Sequence, residues 1–91
     1  MGNVLSGVDE INDANVCHLF PNPTNKSLNI QNNSSQVIQF FLYNSLGERI
    51  ICESLRNKNN EIDLSNFSNG IYFYILCNEE HLIKSGKIIR Q

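Results

Sequence analysis

The side chains able to do acid–base, nucleophilic or metal chemistry are few in this sequence and poorly spaced for it. Its histidines, His18 and His81, lie far apart, and neither has a carboxylate at a spacing that would orient it. His18 falls on the outward side of a strand pattern and His81 in a turn, so both read as surface residues. Cys17, Cys52 and Cys77 are odd in number and contain no C-x-x-C pair, which removes the usual zinc and thioredoxin-like signatures. Each sits in an apolar stretch, where a thiol behaves as a small hydrophobe; a Cys52–Cys77 disulfide is the alternative. Glu79 and Glu80 are adjacent, so on an extended chain they face opposite sides and form no catalytic carboxylate pair. Asp63 stands between Ile62 and Leu64, where its carboxylate can cap the Ser65–Gly70 corner through backbone N–H groups. Calcium held by Asp63 with Asn66 and Asn69 would lack hard carboxylate ligands, so neither metal nor cofactor is expected. With no G-x-S-x-G elbow, H-E-x-x-H or phosphate-cradling glycine loop, the expectation is a chain that is not an enzyme.

Binding chemistry is better represented. Tyr72 and Tyr74 share one face of a strand and could form a sugar platform, although period-2 spacing in an apolar run points more often to core. Lys84, Lys87 and Arg90 read as the solvated side of an edge strand, where charge discourages unwanted pairing. Ser6 fits a Gly2-x-x-x-Ser myristoylation pattern, which is too short and common to carry weight.

These residues must be positioned by short strands. From Val16 onward β-rich runs alternate with turn clusters, the pattern of a sandwich or barrel. The runs are 16–20, 27–31, 36–43, 48–55, a short strand anchored by Ile62 and Leu64, 70–77 and 82–90. Pro21 and Pro23 fix φ and lack donors, so they stop the first strand. The run 36–43 is apolar on both faces and should be central. Gly47 suits the positive φ of a hairpin turn, and Gly70 should take a backbone state costly for other residues. Residues 56–60 read as an exposed loop, and Gly86 inside the last run as a bulge. The fold class expected is an all-β, seven-stranded antiparallel immunoglobulin-like sandwich over residues 16–91. Residues 1–15, polar and acidic through Asp9, Glu10 and Asp13, read as a linker or lead-in.

Bulk properties agree with a single small domain. A chain of 91 residues buries only about two-thirds of its unfolded surface, so the core is thin. A formal charge of −2 gives no reason to expect nucleic acid or an anionic membrane as partner. No apolar run approaches the ~20 residues that span a bilayer. Residues Met1–Leu5 have neither a basic segment nor a long apolar one, so no export signal is read there; either the protein stays in the cytosol or its signal lies upstream.

Four blocks stand in order: Phe20-Pro21-Asn22-Pro23-Thr24 running into Leu28-Asn29-Ile30; Leu42 to Ile50 around Gly47; Ile62 to Tyr72 through Asp63 and Gly70; and Ser85-Gly86-Lys87-Ile88-Ile89-Arg90-Gln91. Together they resemble the type A C-terminal sorting domain of the type IX (Por) secretion system of Bacteroidota, over residues 16–91. The resemblance implies a domain carried behind a secreted cargo, recognised in the periplasm and exported by the outer-membrane translocon to the surface or medium. In that family a sortase-like surface peptidase commonly removes the domain; a cut, where it occurs, should fall in the lead-in before Val16, where no residue identifies the bond. In that family the last strand is the part most tied to recognition, which here means Gly86, Lys87, Ile88, Ile89, Arg90 and Gln91. Pro21, Asn22, Pro23, Gly47, Asp63, Gly70 and Tyr72 match the structural motif, while the cysteines depart from it. A terminal edge strand could offer unpaired backbone groups to a receptor. The rival reading is a carbohydrate-binding or adhesive module using Tyr72, Tyr74 or the Asn-rich loops.

Overall fold

Side-chain alternation with a period of two sorts this chain into core and surface. The computed structural model describes residues 16–79 and 81–91. The lead-in, with its expected cleavage point and Ser6, and Glu80 of the acidic pair lie outside the described residues.

Seven strands follow one another: β1 (Cys17–Phe20), β2 (Ser27–Asn32), β3 (Ile38–Tyr43), β4 (Arg49–Leu55), β5 (Asn59–Asp63), β6 (Gly70–Cys77) and β7 (Leu82–Arg90). Among the described residues there is no helix. The strands pair antiparallel into a three-stranded sheet, β1-β2-β5, and a four-stranded sheet, β4-β3-β6-β7. Leu28, Ile30 and Ile62 of the first sheet meet Ile38, Phe40, Leu42, Leu76 and Ile88 of the second in one core cluster. β3 has a neighbour on each side, as its two apolar faces require.

The turns use the chemistry their sequences carry. In the β3–β4 hairpin Gly47 sits at φ 87°, its N–H donating to Asn44 O at 3.0 Å. The Asn44 carboxamide oxygen accepts from Leu46 N and Glu48 N, adding to the backbone bond from Asn44 N to Glu48 O that closes the hairpin. Ser65 N donates to Asp63 Oδ1 at 2.9 Å, capping the corner after β5. Hydrogen bonding by Ser65 holds the Asp63 carboxyl below the usual carboxylate range. Gly70 opens β6 at φ 150°, a conformation that L side chains rarely adopt.

Several expectations are corrected. The loop expected at 56–60 is shorter, because Asn59 and Asn60 already pair with Gln31 and Ile30 and begin β5. Gly86 is not at a bulge: it pairs regularly with Tyr74, and the β6–β7 register shifts instead at Leu76/Cys77. The glycine is required by packing, since a Cβ there would lie 2.9 Å from the Tyr74 ring and hydroxyl. A Cys52–Cys77 disulfide does not form, because β3 lies between their strands; all three cysteines are free. Cys17 is fully buried, and that burial pushes its thiol pKa up, partly opposed by the Lys84 charge.

Substitutions should separate the two glycines. Gly70→Ala, strained by φ alone, should lose about 1 kcal/mol in urea denaturation. Gly86→Ala drives a methyl into the Tyr74 ring and should cost about 1–3 kcal/mol. Equal, negligible losses would show that neither position needs glycine. In native protein an alkylating reagent should modify exposed Cys52 and spare Cys17 until denaturant is added.

Candidate functional site

β7 is an edge strand, paired only with β6, and the reading of its side chains follows from alternation. Lys84, Gly86, Ile88 and Arg90 share the inner row; Ser85, Lys87 and Ile89 share the outer. Ile88 is fully buried and locks the strand to the core. Lys84 and Arg90 do not stand on the solvated side as expected. Residues 84 and 87 are three apart, so a period of two puts them on opposite faces. Lys84 Nζ reaches Cys17 O in the other sheet at 3.2 Å. Arg90 Nε donates to Leu64 O at 3.0 Å, and its Nη1 to Asn69 Oδ1 at 2.9 Å. Lys87 is left exposed, and among the described residues no hydrogen bond or ion pair holds its ammonium.

The outer edge of this strand is covered, against the expectation of unpaired backbone. Asn22 Nδ2 donates to Lys87 O at 2.9 Å, and Ile89 N donates to Asn22 Oδ1 at 3.1 Å. A carboxamide carries a donor and an acceptor much as a peptide group does, so one side chain stands in for part of a neighbouring strand. Thr24 continues the cover: its N–H donates to Ile89 O at 2.9 Å, and Gln91 N donates to Thr24 O at 2.8 Å. Thr24 is itself 2% exposed, its hydroxyl bonded to Ser27 O. The flanking prolines end β1 at Phe20, as expected, and their fixed φ stiffens the turn that presents Asn22. The cover runs from the Lys87 carbonyl to Gln91, and exposed Ser85 lies beyond it.

Of the residues singled out in the sequence, Pro21, Asn22 and Pro23 come together with Lys87, Ile88, Ile89, Arg90 and Gln91. Arg90 also draws in the corner between Asp63 and Gly70 through Leu64 and Asn69. At that corner the Tyr72 hydroxyl donates to Ser68 O. Gly47 remains in its own hairpin turn. Tyr72 and Tyr74, 6% and 7% exposed, are core residues and offer no sugar platform. His18 is exposed on β1, and His81 lies in the β6–β7 turn, where its N–H bonds Asn78 Oδ1. No metal-holding group of His, Cys, Asp or Glu occurs among the described residues. Sequence reasoning placed Asn22 and Thr24 in a motif without a task. A carboxamide set between two residues that cannot donate was the available signal.

A family model described as a secretion system C-terminal sorting domain matches residues 18–91, which takes in all seven strands but the first residue of β1. No curated protein matches the chain.

Asn22→Ala should leave the fold intact, lower stability by about 1 kcal/mol and speed amide exchange most at Ile89. Asn22→Asp retains the acceptor and should keep Ile89 protected. Unchanged exchange at Ile89 in Asn22→Ala would show that the side chain does not hold this edge.

Proposed function

We propose a reading of the last strand that starts from family membership: this chain belongs to the secretion system C-terminal sorting domain family. It is a type IX secretion signal, acting with a secretion machinery to send a preceding cargo to the cell surface or medium. Our finer reading is that the address lies in Gly86–Gln91, with Lys87 as its readable charge. One observation carries it: the last strand is held rigid by the core through Ile88 and by Asn22, Thr24 and Leu64, while Lys87 stays uncommitted.

On this reading the domain is not a catalyst but a substrate. It crosses the periplasm and outer membrane behind its cargo, and a sortase-like surface peptidase then separates the two. We also read the fold as an immunoglobulin-like sandwich. The sheet orders β1-β2-β5 and β4-β3-β6-β7 match A-B-E and C′-C-F-G of such domains. The Tyr72 hydroxyl bonded back to Ser68 O near the start of β6 matches the tyrosine corner of that fold.

The test is a fusion of a signal peptide and a fluorescent reporter ahead of residues 1–91, expressed in a host with a type IX system. Reporter is expected at the surface or in the medium with the domain attached, and in the periplasm without it. A folded fusion that stays in the periplasm would falsify the reading. Deleting Lys87–Gln91 is a weaker test, since it also removes Ile88 from the core and Arg90 from Leu64.

A further inference from the structure

The two outer faces of this molecule differ in kind. On the three-stranded sheet the outward side chains include Asn29, Gln31, Asn59, Glu61 and Asp63, a mostly polar and acidic surface whose one large exposed hydrophobic is Phe20, beside Asn29 on β1. On the four-stranded sheet the registers align Arg49, Tyr43, Phe73 and Lys87 in one row across all four strands. A cation thus stands at each end of an aromatic pair, and no carboxylate lies in the row. Phe73 and its neighbour Ile71 are each 46% exposed. The Arg49 guanidinium lies 5.3 Å from the centroid of the Phe41 ring in the adjacent row. Contiguous exposed apolar surface of this sort marks an interaction site. The strand that ends the row is β7, the one whose backbone edge Asn22 and Thr24 already occupy.

We propose that the export machinery grips the domain by this sheet face rather than by adding a strand to its edge. The occupant is a protein segment that lays an apolar side chain on Phe73 and Ile71 and sets carboxylates against Lys87 and Arg49. The proposal rests on the secretion-signal reading above. Charge complementarity selects the acidic partner, and the face is continuous with the last strand. Strand addition along Lys87–Gln91 is disfavoured because it would need Asn22 and Thr24 to leave Lys87, Ile89 and Gln91. A protein fits better than an anionic membrane. The row's two end cations are separated by three strand spacings, roughly 14 Å, and a membrane-binding surface would need a denser basic cluster.

The reporter fusion with residues 1–91 tests this. Phe73→Thr and Lys87→Glu should each lower surface reporter roughly tenfold or more, as loss of a central contact does. Phe73→Tyr and Lys87→Arg should keep export, as should Glu61→Gln on the opposite face. Melting curves of the purified fusions keep misfolding apart from lost recognition. If the unaltered fusion is exported and Phe73→Thr and Lys87→Glu are exported equally well, the face is not read, although the secretion signal stands. If the unaltered fusion is not exported, the secretion reading itself fails. Three further measurements assign other occupants, and each would overturn the proposal. Sizing that shows a dimer dispersed by Phe73→Thr would make the occupant a second copy. Amide shifts at Phe73 and Lys87 when Asp9, Glu10 and Asp13 are neutralised would make it this chain's own lead-in. Binding to phosphatidylglycerol vesicles that Lys87→Glu abolishes would make it a lipid surface.

Discussion

The Asn22 carboxamide lies against the outer edge of β7, and much of the molecule depends on that contact. It joins residues 65 and 67 positions apart in the chain, so the first turn of the domain and its last strand become one unit. A thin two-sheet core gives an edge strand little reserve, and an unpaired edge invites pairing with other chains. Here the pairing demand of the Lys87–Gln91 backbone is met internally, by one side chain and by Thr24. The blocks at Pro21–Thr24 and Ser85–Gln91 are therefore two halves of a single structural device.

Around that contact the last strand is secured on each of its other sides. Tyr74 packs over Gly86, leaving no room for a side chain. Ile88 fills the core, and Lys84 and Arg90 reach carbonyls of Cys17 and Leu64. Carbonyl acceptors for these cations tie β7 to β1 and to the β5–β6 corner without burying a carboxylate. What remains exposed is the outer row, where Lys87 stands beside Phe73 and in line with Tyr43 and Arg49. For the address proposed above, rigidity is an advantage, because little ordering entropy is lost when a partner binds.

Strand positions other than that of β5, the central place of β3, the stop at Pro21, and the turns at Gly47 and Asp63 were legible in the amino-acid sequence. Each follows from local chemistry: period-2 patterning, fixed proline φ, glycine's access to positive φ, and a short carboxylate beside free N–H groups. The four motif blocks, and with them the family, were legible as well, because they are linear patterns.

What only the tertiary structure decided is which distant groups meet. Alternation alone could have separated Lys84 and Arg90 from Lys87, but not shown that Cys17 and Leu64 carbonyls receive them. The reason for Gly86 lay in a ring on the adjoining strand, not in a bulge of its own. The strand start at Asn59 depended on partners in β2, since asparagine has no strand preference to announce it. Most of all, nothing near Asn22 in the chain says that its carboxamide bonds Lys87 and Ile89. Local propensity acts over a few residues, and sheet-edge closure is settled by strand order and packing across the whole domain.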